Sequence, residues 1–165
     1  MCSMLICAHP LKPSPENPHW QSEIFPEMFG QFSPGNEFEI STCDIKPGGD
    51  FIIDVFNPQD TEKTHDIVLA PDLSGDWWNV QAGYSIENKT SRNLTAQYLA
   101  DLMIRMLPLV KPGGVLLCSK FISTNAETVV FMLVRKHKLN ASVVSYKLNG
   151  SDFKYAAIHV PRLIN

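Results

Sequence analysis

Two residues that could act together chemically, Asp72 and Lys120, follow buried-strand patterns at similar positions. Asp72 lies just past the apolar run from Asp66 to Ala70, and Lys120 follows the run from Val115 to Cys118. In open α/β sheets, functional side chains gather at the carboxyl ends of parallel strands. A lysine whose pKa is lowered by burial and by its neighbours can take a proton from a hydroxyl group. A structural ion pair between the two residues explains the same positions equally well.

The stretch between these residues predicts the element that positions them. Leu94, Tyr98, Leu102 and Met106 recur at four-residue spacing, which predicts an amphipathic helix from about Ser91 to Leu107. The sequence Lys111-Pro-Gly-Gly then predicts a tight turn into the second strand. A strand, a helix and a strand in this order indicate a parallel α/β unit.

The rest of the chain extends this unit in both directions. Strand patterns cover Met4–Ala8, Glu37–Asp44 and Phe51–Phe56, and a hairpin of Ser142–Leu148 and Tyr155–Val160 turns at Asn149-Gly150. Helix patterns cover Trp20–Phe29, inside the proline-rich stretch 9–34, and a segment from the capping box Thr124–Glu127 to Lys138. We therefore predict one α/β domain over residues 1–165, with a mostly parallel sheet and an antiparallel C-terminal hairpin.

Composition narrows the classes of function. The net charge is −3 and the isoelectric point is about 5.9, so the chain has no overall lysine and arginine excess of the kind that marks nucleic-acid-binding proteins. The four cysteines form no Cys-x-x-Cys pair and predict buried, reduced thiols. No apolar run approaches the roughly 20 residues of a membrane span, and no signal peptide is evident. These features predict a cytoplasmic protein that does not bind membranes, without a zinc site.

Several short motifs, taken in order, resemble a known family. The turn Lys111-Pro-Gly-Gly and the final hairpin resemble class I S-adenosylmethionine-dependent methyltransferases, which have a Rossmann-like sheet. Residues 37 to 160 most closely resemble the FtsJ-type ribose 2′-O-methyltransferases. The matching strand ends are Cys43-Asp-Ile-Lys-Pro, Asp54-Val-Phe, Asp72-Leu-Ser-Gly and Lys120-Phe.

The resemblance implies S-adenosylmethionine as cofactor and RNA ribose hydroxyls as substrate. Asp44 would hydrogen-bond the cofactor ribose, Asp54 would meet the adenine edge, and Ala70 would belong to the same site. Asp72 and Lys120 would be the two central members of the family's Lys-Asp-Lys-Glu catalytic set. Asp44 as a turn cap and Asp54 as a solvated carboxylate are the structural alternatives.

Two departures from the family pattern suggest a different function. The family's first strand leads into a glycine-rich loop, whereas the segment from Ala8 to Glu16 contains no glycine. The outer lysine and the glutamate of the catalytic set have no counterpart, with Asp152 near the last hairpin in place of a glutamate. The alternative prediction is therefore a catalytically inactive methyltransferase-like scaffold that binds a protein partner.

Overall fold

The computed structural model describes residues 2–7, 38–44, 50–53, 58, 64–70, 92–118, 124–148 and 151–164. The strands are β1 (Cys2–Cys7), β2 (Phe38–Asp44), β3 (Phe51–Ile52), β4 (His65–Ala70), β5 (Val110–Cys118), β6 (Ala141–Leu148) and β7 (Ser151–His159). The helices are α1 (Arg92–Met106) and α2 (Ala126–Arg135), and a 3₁₀ turn (Leu107–Leu109) follows α1.

The described strands form one sheet in the order β3-β2-β1-β4-β5-β7-β6. The neighbours from β3 to β5 pair in parallel, whereas β7 runs antiparallel to both β5 and β6. This arrangement confirms the predicted Rossmann-like fold, with a mostly parallel sheet and an antiparallel C-terminal hairpin.

Both faces of the sheet are buried. On one face, Leu5, Val68 and Leu116 pack with residues of α1 and α2. On the other face, Met4 and Leu69 belong to a second cluster of buried side chains to which neither α1 nor α2 contributes. Burial on both faces explains why these strands are nearly continuous apolar runs instead of alternating patterns.

The two described helices bury one stripe each and pack against each other. Helix α1 turns Leu99, Leu102, Met103 and Met106 inward, a three- and four-residue spacing that matches the predicted helix. It ends where Pro108 enters the 3₁₀ turn. Beyond the end of α2, His137 Nε2 lies 3.1 Å from Asp101 Oδ1 of α1.

The predicted capping box at the start of α2 is wrong by one residue. Asn125, not Thr124, is the N-cap, and its Oδ1 accepts a hydrogen bond from the Thr128 amide at 2.8 Å. Glu127 reaches across to β7 instead, where Lys154 Nζ donates to it at 2.7 Å. The Asn125 cap satisfies a free amide of the first turn in place of the predicted Thr124 and Glu127 pair.

The sequence Lys111-Pro-Gly-Gly lies inside β5, so the predicted turn is also corrected. Val110 pairs with His65 and Val115 pairs with Ile67, so four residues of β5 lie opposite the single residue Asp66 of β4. The extra residues form an irregularity in the strand. The glycines fit there because Gly113 has φ of 82° and a Cβ on Gly114 would lie 2.6 Å from the Asp66 carbonyl oxygen.

Three other findings complete the comparison with the predicted elements. Strand β3 ends at Ile52, and Ile53 is not in a strand, so the predicted strand from Phe51 to Phe56 does not include Ile53. Residues 54–56 of that predicted strand lie outside the described residues. The helix predicted for Trp20–Phe29 lies outside the described residues. Neither described helix is long and apolar enough to cross a membrane.

Candidate functional site

Four strands end together at the carboxyl edge of the sheet. Cys7 of β1 pairs with Cys43 of β2, and Ala70 of β4 pairs with Cys118 of β5. Because Ile6 of β1 also pairs with Leu69 of β4, all four strand ends lie at one level. Within the sheet, β2 lies on one side of β1, and β4 lies on the other side of β1. Such a topological switch point is where open α/β sheets bind ligands.

Of the five site residues predicted from sequence, the structure describes two at this edge. Asp44 is the last residue of β2, one position beyond the Cys43–Cys7 pair, and only its backbone is described. Ala70 is the fully buried last residue of β4. Asp54, Asp72 and Lys120 lie outside the described residues, so their predicted roles stay predictions.

Three cysteine thiols lie along this edge on the helix-covered face. Cys7, Cys43 and Cys118 are buried and free, as the apolar runs around them predict. A hydrogen bond with Cys43 and burial raise the pKa of Cys7 well above its ordinary value, and burial raises that of Cys118. Thiols held protonated in this way are poor nucleophiles and poor metal ligands. The pairing of Cys7 with Cys43 could not be predicted from sequence, because it depends on the register of β1 and β2.

The described side chains at the carboxyl edge therefore offer a ligand little charge. These side chains, Cys7, Cys43, Ala70 and Cys118, are small and uncharged. Among the parts of the chain with described coordinates, no group of three or more histidine, cysteine or acidic side chains is arranged to hold a metal ion. Any acid, base or charged ligand contact at this edge has to come from Asp44 or from the segments that follow the strand ends.

The fit of an adenosine-type cofactor to this edge depends on Asp44. A carboxylate at the end of the second strand, next to the end of the first, is the position from which Rossmann-type sheets bind the ribose hydroxyls of their cofactors. Asp44 occupies that position by its register. Ala70 is the last residue of β4, at the same switch point. The cofactor-binding roles of Asp44 and Ala70 stay predictions.

A second polar cluster, which the sequence did not indicate, lies at the opposite, amino edge. Asp66 Oδ2 accepts hydrogen bonds from the amide and the hydroxyl of Ser3, both at 2.9 Å, and lies 3.5 Å from Lys111 Nζ. Partial burial opposes ionisation of Asp66, but the Ser3 hydrogen bonds and the Lys111 charge outweigh it and lower its pKa. The Ser3 hydroxyl also accepts hydrogen bonds from the Asp66 amide and from Lys111. This cluster joins β1, β4 and β5. Because the Ser3 hydroxyl is already engaged in these hydrogen bonds, the cluster provides no nucleophile.

His65 is buried beside this cluster, and neither ring nitrogen has a hydrogen-bond partner among the described residues. Burial lowers its pKa, and the nearby charge of Lys111 lowers it further, against the opposing effect of Asp66 and Glu39. The ring is therefore a neutral core side chain at neutral pH. It lies at the edge opposite the strand ends where ligands bind, so we assign it no part in the site.

Comparison with solved structures identifies the fold. The chain is similar to a 16S rRNA (adenine(1408)-N(1))-methyltransferase from Catenulisporales acidiphilia, with a TM-score of 0.51 and 11% identity over 97% of this chain and 85% of that one. It is also similar to the N-methyltransferase NodS from Bradyrhizobium japonicum, with a TM-score of 0.48 and 14% identity over 98% of this chain and 86% of that one.

Neither the scan against protein-family models nor the search of curated proteins found a match. At such low identity the likeness concerns the fold alone, and the fold is that of class I S-adenosylmethionine-dependent methyltransferases.

Proposed function

We propose that this chain binds S-adenosylmethionine at the carboxyl edge of β1, β2 and β4 and methylates RNA on ribose hydroxyls. The observation that carries the proposal is the register that puts Asp44 beside the end of β1, at the switch point of a sheet with methyltransferase strand order. The resemblance of the strand-end motifs to ribose 2′-O-methyltransferases supports the choice of substrate. The proposed location is the cytoplasm.

In this proposal Asp44 accepts hydrogen bonds from the cofactor ribose and Asp54 contacts the adenine edge. Ala70, the last residue of β4, would lie beside the cofactor. When bound, S-adenosylmethionine supplies a methyl group that is activated by its sulfonium charge. Asp72 holds Lys120 in position, and Lys120 takes the proton of the attacking ribose hydroxyl.

Cofactor binding is tested by calorimetry with S-adenosylmethionine and its demethylated product. Asp44→Asn is compared with Glu39→Gln, which makes the same change at the exposed opposite end of β2. We expect Asp44→Asn to weaken binding by roughly tenfold or more, since it replaces a charge-assisted hydrogen-bond acceptor. Glu39→Gln should leave binding unchanged. Equal effects of the two substitutions would remove Asp44 from the site.

Catalysis is tested by methyl transfer from labelled cofactor to capped or structured RNA. Lys120→Ala should lower the rate by about 10²- to 10⁴-fold, the usual contribution of a positioned proton acceptor. Lys136→Ala, which removes an exposed lysine at the end of α2, is the matched control and should keep full activity. Unchanged transfer in Lys120→Ala would exclude Lys120 from the mechanism.

A second function is supported by a specific feature of the sequence. The segment after β1, from Ala8 to Glu16, has no glycine where a cofactor needs close approach to the backbone. If S-adenosylmethionine produces no heat at high concentration, we propose instead that the chain is an inactive methyltransferase-like scaffold with a protein partner. The acidic net charge also predicts weak, salt-sensitive RNA binding by this chain alone.

A further inference from the structure

We propose that β6 forms an antiparallel ladder with β6 of a second copy of this chain, so that two sheets join into one across a twofold axis. The proposal is independent of the methyltransferase function. It starts from the position of β6 at one end of the sheet, where it pairs with β7 alone among the described strands. An edge strand of this kind exposes a row of backbone donors and acceptors that can pair with another chain.

The two edges of the sheet differ in the features that prevent such pairing. Strand β3, at one edge, has two residues, too few to template a ladder. Strand β6 has eight residues, in unbroken register with β7 from Ala141 to Leu148. It contains no proline and no bulge, and Lys147 near its end is its one charged residue. Short length, prolines, bulges and charges are the usual protections of an edge, and β6 lacks all but the last.

The phase of the hydrogen bonds shows which backbone groups face outward. The amide of His159 donates to the carbonyl of Asn140 at 2.8 Å. Because ladder bonds alternate along an antiparallel pair, the amide of Ser142 points toward β7, whereas those of Val143 and Ser145 point away from it. No other described strand pairs with these outward groups, and a second strand could do so.

The single charge of β6 favours an antiparallel arrangement of two copies. Pairing centred on Val144 sets Lys147 of one copy opposite Ala141 of the other, so the two lysines are roughly 20 Å apart along the ladder. A parallel arrangement would put them side by side, which is unfavourable. Antiparallel pairing is also the one that a twofold axis perpendicular to the sheet generates, with the same surface on both copies.

An exposed apolar side chain of α2 extends this surface. Helix α2 packs against β6 and β7, and its Val134 is 40% exposed. Crossovers between parallel strands, such as the one from β5 through α2 to β6, are right-handed. Because successive helical residues are turned by about 100°, Val134, which follows the buried Leu133, then faces β6 and not α1. A second copy paired along β6 would bring its own α2 close to Val134 and cover it.

The test is the mass in solution of the full chain, measured by sedimentation or by light scattering over a range of concentrations. We expect a dimer. Ser145→Pro removes an outward amide and leaves the ladder to β7 intact, so it should weaken dimerisation at least tenfold. Ser145→Thr keeps the amide and should dimerise as the natural sequence does.

A second substitution keeps the test valid if the proline variant fails to fold. Val134→Glu introduces a charge into the proposed interface at an exposed position and should also weaken dimerisation at least tenfold. Lys136→Glu changes the charge on the same helix outside the interface and should have no such effect. A monomeric wild-type chain, or a dimer that tolerates both Ser145→Pro and Val134→Glu, would overturn the proposal.

Discussion

At the scale of single residues, Gly114 at the amino edge of the sheet is under a tight steric constraint. A Cβ on Gly114 would lie 2.6 Å from the Asp66 carbonyl oxygen and 2.9 Å from that of Lys111. Both neighbours are backbone atoms in paired strands, so neither can move without disturbing the sheet. The neighbouring Gly113 has the left-handed φ of 82°, and its closest contact is the flexible side chain of Arg162.

We predict that Gly114→Ala lowers the free energy of unfolding by about 2–3 kcal/mol, the cost of forcing an atom into a packed site. Gly113→Ala should cost less, about 1–2 kcal/mol, because it meets the penalty for a side chain at positive φ and a contact with the flexible Arg162 side chain instead of with backbone atoms. Urea unfolding of the two variants measures the difference. A smaller loss in Gly114→Ala than in Gly113→Ala would contradict the contact described for β4 and β5.

The buried ring of His65 predicts a pH dependence of stability. Its pKa in the folded chain lies below the ordinary value of 6.5, so the unfolded chain takes up a proton first as pH falls. The free energy of unfolding should therefore decrease as pH falls below about 6.5 and continue to decrease until the folded chain is also protonated. Denaturant unfolding between neutral pH and pH 5 measures this slope. His65→Leu should reduce it, and an unchanged slope in that variant would assign it to other groups.

At the scale of elements, the start of α2 shows how a local rule depends on a boundary. Thr124 and Glu127 have the spacing of a capping box, but Asn125 holds the extended conformation of the cap, with φ of −132°. Two residues of capping type are adjacent in sequence, and the backbone conformation decides between them. The side chain of Glu127 is then free to pair with Lys154 of β7, and this bond lowers its pKa.

We predict that Asn125→Ala destabilises the protein by about 1 kcal/mol, the usual loss for an N-cap. Thr124→Ala should cost clearly less, because the Thr124 hydroxyl makes no hydrogen bond with the residues described. Thermal unfolding of both variants separates the two. The reverse order of stabilities would restore Thr124 as the cap.

At the scale of the whole molecule, the sheet buries both of its faces, and the cysteines lie within that core. Cys7, Cys43 and Cys118 are each at most 2% exposed, and Cys2 is 8% exposed. Their reaction with a reagent in solution therefore requires local or global opening of the structure.

We predict that a disulfide reagent titrates four thiols in denaturant but reacts slowly with Cys7, Cys43 and Cys118 in the native protein. Peptide mass spectrometry after timed alkylation identifies which thiols react. Fast labelling of Cys7 and Cys43 under native conditions would show that the carboxyl edge opens readily. Slower labelling in the presence of S-adenosylmethionine would be an independent sign of cofactor binding there.

The sequence alone determined the class of the fold and most of its elements. Apolar runs such as Ile67–Ala70 and the helical spacing of Leu99, Leu102 and Met106 are local patterns, and burial on a sheet or on a helix face imposes them directly. The sequence also identified Asp44 and Ala70 as strand-end residues. It could not determine that Lys111-Pro-Gly-Gly lies within β5, because the bonds from Gly113 to Val160 join distant parts of the chain.

Only the tertiary structure decided which residues meet across the sheet. The pairing of Cys7 with Cys43, the cluster of Ser3, Asp66 and Lys111, and the burial of His65 depend on strand order and register. A change of register by one residue turns each side chain to the opposite face, and no local pattern specifies the register between strands distant in sequence. For the same reason, the sequence could place Asp44 at a strand end, whereas its position beside the end of β1 is a property of the folded sheet.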